Sequence, residues 1–273
     1  MNTLEPISDA PSDTWRSLRF LFTDIDDTLT TDGMLRADAY GMLEKLHDAG
    51  IVVIPVTGRP AGWCDMITRF WPVGAIVGEN GAFYFHYEQC TRRMTRQFAQ
   101  SATQRASNRS RLKDVQAEVL RMVPGAAIAS DQAYREADLA IDFCEDVARL
   151  CDDDINRIVG IFEASGATAK VSSIHVNGWF GSHDKLTMTR QLMHQEFDCE
   201  IATPKGQQAC AFIGDSPNDA PMFGFFKNSI GVSNIADLAG RCEALPKWIT
   251  EGASGAGFCE LAQHILAARE TST

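Results

Sequence analysis

Short apolar runs alternate with stretches of helical periodicity along most of the chain. RFLFT (residues 19–23) is almost wholly apolar and ends at Asp24, as a strand buried on both faces does. Asp38–Ala49 follows with Leu43 and Leu46 at helical spacing, and Gly50 stands where a helix C-cap belongs. IVVIPV (51–56) is a second buried strand, running into Thr57-Gly58-Arg59. A helical stretch over Ala61–Phe70 then leads to AIVGENGA (75–82). Toward the other end, ACAFIGDS (209–216) and Ser229–Val232 repeat the apolar run that stops at a polar turn. Continuous apolar strands separated by helices predict an α/β fold, a Rossmann-like parallel sheet covered on both faces.

The middle of the chain has another texture. AFYFHY (82–87), ADLAIDF (137–143) and AKVSSIHV (169–176) read as half-buried strands. Two helices stand out: Ser110–Met122, with Leu112, Val115 and Val119 on one face, and Asp152–Ala164, with Asp152 as N-cap. QFAQSATQRASNRS (97–110) is polar and reads as a loop or weak helix start. The expected organisation is a polar leader over residues 1–18, a core of 19–82 and 183–273, and an inserted α+β module over 83–182.

Composition narrows the classes. With 273 residues, 45% of them hydrophobic, the chain can bury a sizeable core. A net charge of −11 argues against a general nucleic-acid binder. No apolar run approaches the length of a membrane span, about 18 residues, and MNTLEPISDAPSDTW has no basic-then-apolar signal pattern. The eight cysteines are scattered without CxxC or Cys/His spacing, which points to reduced thiols in the cytoplasm. Cys64 and Cys210 are expected in the core. Residues 92–113 hold seven basic side chains and no acid. This is either a solvated face, a surface that steers anionic substrates, or a grip for nucleic acid.

Three strand ends carry the candidate chemistry. FLFTDIDDTLT packs Asp24, Asp26 and Asp27 into four positions, and GDSPND supplies Asp215, Asn218 and Asp219. Asp24, Thr57 and Asp215 each follow an apolar strand, and functional groups of open α/β sheets gather at carboxyl ends. Capping explains one acid per helix and leaves a surplus. Phosphoryl transfer uses that surplus: it needs a nucleophile, a proton donor, a cation and donors for the equatorial oxygens. In D-x-D-x-T, Asp24 can attack phosphorus and Asp26 can protonate the leaving group, with the Thr28 hydroxyl nearby. Oxygen-only ligands suit Mg²⁺, and Lys185 is the candidate cation between the two clusters.

DIDDT, TGR, a lone lysine and GDSPND, in that order over about residues 20–260, resemble the haloacid dehalogenase superfamily of aspartyl-phosphate phosphatases. The long insert resembles the type-2 cap of its sugar-phosphatase branch. The resemblance implies Asp24 as nucleophile, Asp26 as general acid/base, Thr57 and Gly58 on the phosphoryl oxygens, and Lys185 on the nucleophile and phosphate. It implies Mg²⁺ held by Asp24, Asp215 and Asp26 through its backbone carbonyl, with Asp219 and Asn218 completing the metal's surroundings. The chain departs from many capped relatives with Asp27 in place of glycine and Leu186 after the lysine. The implied substrate is a small phosphorylated metabolite such as a sugar phosphate. Candidate substrate contacts are Arg59, Asn80, His175, Asn177 and Trp179, three of them with a structural alternative: Trp179 as core or hinge packing, His175 as a satisfied structural histidine, and Arg59, like Arg135, paired with an insert carboxylate. A phosphomutase, an idle binding module and a polynucleotide phosphatase using the basic segment are the competing functions.

Overall fold

The structure, a computed structural model, describes residues 4–270. The chain begins with β1 (Glu5–Pro6) and α1 (Ser12–Arg16), then runs through β2 (Phe20–Thr23), α2 (Ala37–Asp48), β3 (Val52–Pro55), α3 (Ala61–Phe70) and β4 (Ile76–Gly78). The hairpin β5 (Phe83–Glu88) and β6 (Arg93–Phe98) precedes α4 (Ala102–Met122), β7 (Ala127–Ile128), β8 (Leu139–Asp142), α5 (Asp152–Ala164), β9 (Thr168–Val171) and β10 (His175–Trp179). The chain returns through α6 (Lys185–Phe197), α7 (Pro204–Ala209), β11 (Cys210–Gly214), α8 (Ala220–Phe225), β12 (Ser229–Gly231), β13 (Trp248–Ile249) and α9 (Ser254–Glu270).

Six strands form the central sheet in the order β1-β13-β12-β11-β2-β3, every pair parallel. Successive side chains of a strand point to opposite faces, and both faces are covered here. Leu21, Val53, Ala211 and Ile213 meet Leu43 and Leu46 of α2 and Phe258, Leu261 and Ile265 of α9. Phe20, Phe22, Ile54 and Phe212 meet Met188 and Leu192 of α6 and Met222 of α8. The uninterrupted apolar reading of these strands is the direct consequence.

Residues 4–18 do not form the expected polar leader, whose first three residues lie outside the described ones. Glu5 and Pro6 pair with β13, and Ile7, Trp15 and Leu18 are buried in the core. Three anchors spread among polar residues are enough to dock the segment, and Trp15 lies 5.5 Å from Trp248 between ring centroids. The hairpin over 83–98 was expected in the insert, yet it belongs to the core. Phe83 and Phe85 share a cluster with Ile25, Cys64 and Ile76, while Tyr84 packs among Phe22, Met188 and Leu192. β4 joins the central sheet through a parallel bridge between Val56 and Val77, so the hairpin extends that edge.

The insert's own core spans residues 112–180. An antiparallel sheet, β7-β8-β10-β9, supports α4 and α5 through Leu112, Val115, Val119, Ile155, Ile158 and Phe162. AKVSSIHV is two strands with a turn at 172–174, and β8 is fully buried. The polar window 97–110 holds the first turns of α4, started by Ser101, whose side chain accepts from the Gln104 backbone N–H in a capping box. At α5 the cap position falls on Cys151 and Asp152 moves into the first turn. All eight cysteines are free thiols, with Cys64 and Cys210 buried. Among the described residues no helix is long and apolar enough to cross a membrane.

Candidate active site

Asp24 leaves the carboxyl end of β2, and its N–H donates to the Ile213 carbonyl at 3.0 Å, so the ends of β2 and β11 stand side by side. Asp215 follows β11, and Thr57 follows β3 at the neighbouring strand end. Lys185 is the first residue of α6, whose N-cap Asp184 accepts from Thr187 N. The loop over Glu79–Gly81 lies against this helix start. A Cβ on Gly81, whose φ is +100°, would strike the Asp184 carbonyl, so only glycine fits there.

The acids converge on the lysine. Lys185 Nζ lies 2.7 Å from Asp219 Oδ1 and 3.2 Å from Asp24 Oδ1, with the whole residue 2% exposed. The second Asp219 oxygen accepts from the N–H groups of Asp215 (3.1 Å) and Ser216 (3.3 Å). Thr28 Oγ1 donates to Asp215 Oδ1 at 3.1 Å. Oxygens of Asp24, Asp215 and Asp219 all lie within 4.8 Å of one another.

Three buried carboxylates share one ammonium. Burial pushes the Asp24 carboxyl up to about 8, against the pull of Lys185, and Asp219 and Asp26 add to the rise. Burial also raises Asp215, aided by Asp24 and Asp219. Burial opposes charge on Lys185, but Asp219 and Asp24 outweigh it and hold the ammonium. The donor set therefore lacks positive charge and offers only oxygens, which fits a hard divalent cation. Lys185 meets one oxygen of Asp24 and Thr28 donates to one of Asp215, while Lys185 and two backbone N–H groups meet the two oxygens of Asp219. Asp219 thus anchors Lys185 and the 215–216 backbone while standing in the same acidic group as Asp24 and Asp215.

A folded-state pKa raised above the unfolded value makes stability fall as pH rises through the interval between the two. For Asp24 that interval runs from the ordinary 3.8 to about 8. In metal-free protein the melting temperature is therefore expected to fall between pH 5 and pH 8, and Mg²⁺ to flatten the decline. Differential scanning fluorimetry with EDTA or Mg²⁺ reads both curves. Equal slopes with and without metal would contradict the uncompensated cluster.

The Asp26 carboxylate stands outside the acidic cluster. Arg59 Nε donates to both its oxygens at 2.9 Å, and a terminal nitrogen donates at 2.7 Å. The same nitrogen reaches Glu145 Oε1 of the insert at 3.0 Å, and the other lies 3.6 Å from Asp131. The guanidinium also stacks on Trp63, 4.4 Å from its ring centroid. Of the two roles open to Arg59, the structure shows the pairing with insert carboxylates, and adds Asp26 as a third partner.

The other candidates divide. Thr57 is fully buried and accepts from the Arg59 N–H at 3.0 Å. The Gly58 carbonyl accepts from Arg135 at 2.9 Å. Asn80, at φ 53°, accepts from Asn218 Nδ2 at 3.3 Å, while its own buried Nδ2 has no partner. Asn177 donates to Asp138 at 3.0 Å, and His175 Nε2 lies 2.9 Å from a Glu145 carboxylate oxygen. Hydrogen bonding and charge from His175, with Arg59 adding to both, pull the Glu145 carboxyl down to about 2 despite burial. Trp179 is not a sugar platform: it is 2% exposed, stacks on His183 and donates to the His183 carbonyl at 3.2 Å.

The pairing of Arg135 with insert carboxylates is one of the alternatives open in the sequence; the part of Glu79 in the same buried ionic hub went unread. Arg135 binds Asp131 through two N–H donors and Asp138 through a third. Beside it, the Glu79 carboxylate accepts from the N–H groups of Ala61, Glu136, Ala137 and Asp138. Core and insert are stitched together through these two residues. Nothing local marks Glu79 except its place in ENG, a sequence suited to positive φ.

Known structures place this arrangement. No known protein family matches the chain by sequence, and no curated protein does. Among solved structures, a Thermoplasma acidophilum protein superposes with a TM-score of 0.67 at 18% identity, covering 91% of this chain and 98% of that one. The sucrose-phosphatase of Synechocystis, solved with sucrose and phosphate, matches with a TM-score of 0.59 at 16% identity over 92% of this chain and 98% of its own. A haloacid dehalogenase-like hydrolase from Bacteroides thetaiotaomicron gives 0.60 at 13% identity, over 91% and 99%. The chain has the fold of haloacid dehalogenase-like hydrolases, with a Rossmann-like core and an additional α+β subdomain.

Proposed function

We propose that the chain is a Mg²⁺-dependent phosphomonoester hydrolase working through an aspartyl-phosphate on Asp24. The observation that carries this reading is the buried Asp24–Lys185–Asp219 chain beside Asp215. Asp24 and Asp215 would hold the cation, which supplies charge neutralisation for the transferring phosphoryl group. The Asp24 oxygen forms a bond to phosphorus as the bond to the alcohol breaks, and Asp26 gives that alcohol its proton. Water then attacks phosphorus, Asp26 takes the water's proton, and the bond to Asp24 breaks to release inorganic phosphate. Lys185 steadies Asp24 and the phosphoryl charge. Thr57, the Gly58 backbone, Asn80 and Asn218 line the phosphoryl pocket; the unpartnered Asn80 Nδ2 is a donor suited to an oxygen there.

The insert serves as a cap. Arg59 ties Asp26 to Glu145, so the position of the cap and the orientation of the acid/base are coupled through one guanidinium. Arg59, His175 and Asn177 therefore act by positioning. The substrate is a small phosphorylated metabolite, with sugar phosphates first, a choice supported by the likeness to the sucrose-phosphatase fold. Free thiols throughout fit a cytoplasmic setting.

The test is phosphate release from sugar phosphates and p-nitrophenyl phosphate by protein stripped with EDTA and then given Mg²⁺. Release is expected only after metal is restored. Undiminished release in EDTA would remove the metal from the reading, and an isomerised sugar phosphate without phosphate release would make the protein a mutase.

A further inference from the structure

Beside Asp26 lies a cavity of about 250 Å³, lined by Asp26, Asp27, Asp32, Arg59, Glu145 and Ile174 among others, and by none of Asp24, Asp215, Asp219 and Lys185. Four carboxylates in its wall answer one cation. That cation is committed, because Arg59 spends its donors on Asp26 and Glu145 and has Asp131 at 3.6 Å. An anionic group entering the cavity would find no free positive partner and several like charges.

Backbone conformation adds an independent point. Asp27 has φ 54°, in the left-handed region that favours glycine. A side chain kept at such a position is strained by about 1 kcal/mol, and this one puts a half-buried carboxylate into the wall.

A second cavity, of about 430 Å³, lies across the turn at 172–174 and carries Arg149, Lys170 and Arg241. It does not reach Asp26, and Lys170 and Arg241 face Glu243 and Asp152 at 3.6 and 2.5 Å. The leaving oxygen must come within hydrogen-bond reach of its proton donor, so the alcohol belongs in the acidic cavity.

We propose that this cavity receives the leaving alcohol and selects donor-rich alcohols, neutral polyols or amino sugars, against those bearing a second anionic group. The inference rests on the phosphatase reading above and sharpens its substrate class.

Two matched pairs test it: glucitol 6-phosphate against 6-phosphogluconate, and glucose 6-phosphate against glucosamine 6-phosphate, each as kcat/KM with Mg²⁺. The carboxylate of 6-phosphogluconate is expected to lower kcat/KM by about tenfold or more, and the ammonium to leave it equal or higher. Asp27→Gly, which relieves the backbone, and Asp32→Asn, at an exposed position, are each expected to narrow the first gap. Equal or faster turnover of 6-phosphogluconate, or a gap that neither variant moves, would overturn the inference. If p-nitrophenyl phosphate is still hydrolysed with Mg²⁺ in that case, the phosphatase reading stands alone. No phosphate release from any of the five compounds by folded protein would overturn both.

Discussion

Asp24→Asn is expected to lower phosphate release at saturating substrate by about four orders of magnitude or more, since no other group can take over a lost nucleophile. The amide matches the carboxylate in shape and leaves Lys185 its 2.7 Å partner, Asp219. It also removes one of three crowded acids whose repulsion, with burial, drives Asp24 up to about 8. The metal-free variant is therefore expected to melt no lower than wild type. Its response to Mg²⁺ should shrink, because Asp24 is one of three acids whose oxygens gather within 4.8 Å of one another. A ligand at 100 times its Kd stabilises by about 2.7 kcal/mol, a shift readily seen by fluorimetry in the wild type. Parallel phosphate-release assays and melts with and without Mg²⁺ separate the outcomes. Full metal-dependent turnover would refute the nucleophile, whereas a large fall in melting temperature would assign the lost activity to unfolding.

The reacting set was legible because it sits where chain pattern and chemistry coincide. Each of Asp24, Thr57 and Asp215 ends an apolar strand, and parallel strands bring their carboxyl ends to one edge. Lys185 could be singled out by its place in the motif order, after the insert and ahead of GDSPND. Side-chain direction was not legible. Nothing in DIDDT says that Asp24 faces Lys185 while Asp26 turns to Arg59, 33 residues away in sequence. Nor can a sequence show that Asp219 meets Lys185 through one oxygen and two backbone N–H groups through the other.

Boundaries failed for a related reason. Alternation in AFYFHY reports a half-buried hairpin without naming the surface that buries it, and that surface proved to be α3 and α6 of the core. The first eighteen residues look polar because Ile7, Trp15 and Leu18 are spaced singly, yet each is almost fully buried. Arg135 and Glu79 lie 56 residues apart, and their hub forms only when the insert folds back on the core. Long-range pairing of buried charge is the part of this site that periodicity cannot encode.

Lys185→Met carries the largest expected stability effect. Methionine keeps the unbranched apolar stem but leaves Asp24 and Asp219 facing each other in a buried site. Removing one partner of a buried ion pair destabilises by about 3–5 kcal/mol. In a protein of this size each kcal/mol is worth about 2–4 °C, so a fall of roughly 10 °C is expected at pH 7, together with loss of phosphate release. Adding Asp24→Asn to this variant removes one orphaned charge and should recover part of the loss, a coupling above about 1 kcal/mol in a double-mutant cycle. Lowering the pH should also shrink the deficit, because carboxyls without a cation accept protons more readily in the folded state than in the unfolded one. A melting temperature within a degree or two of wild type at every pH would mean that the ammonium does not hold these acids. The lysine would then be needed for phosphate alone.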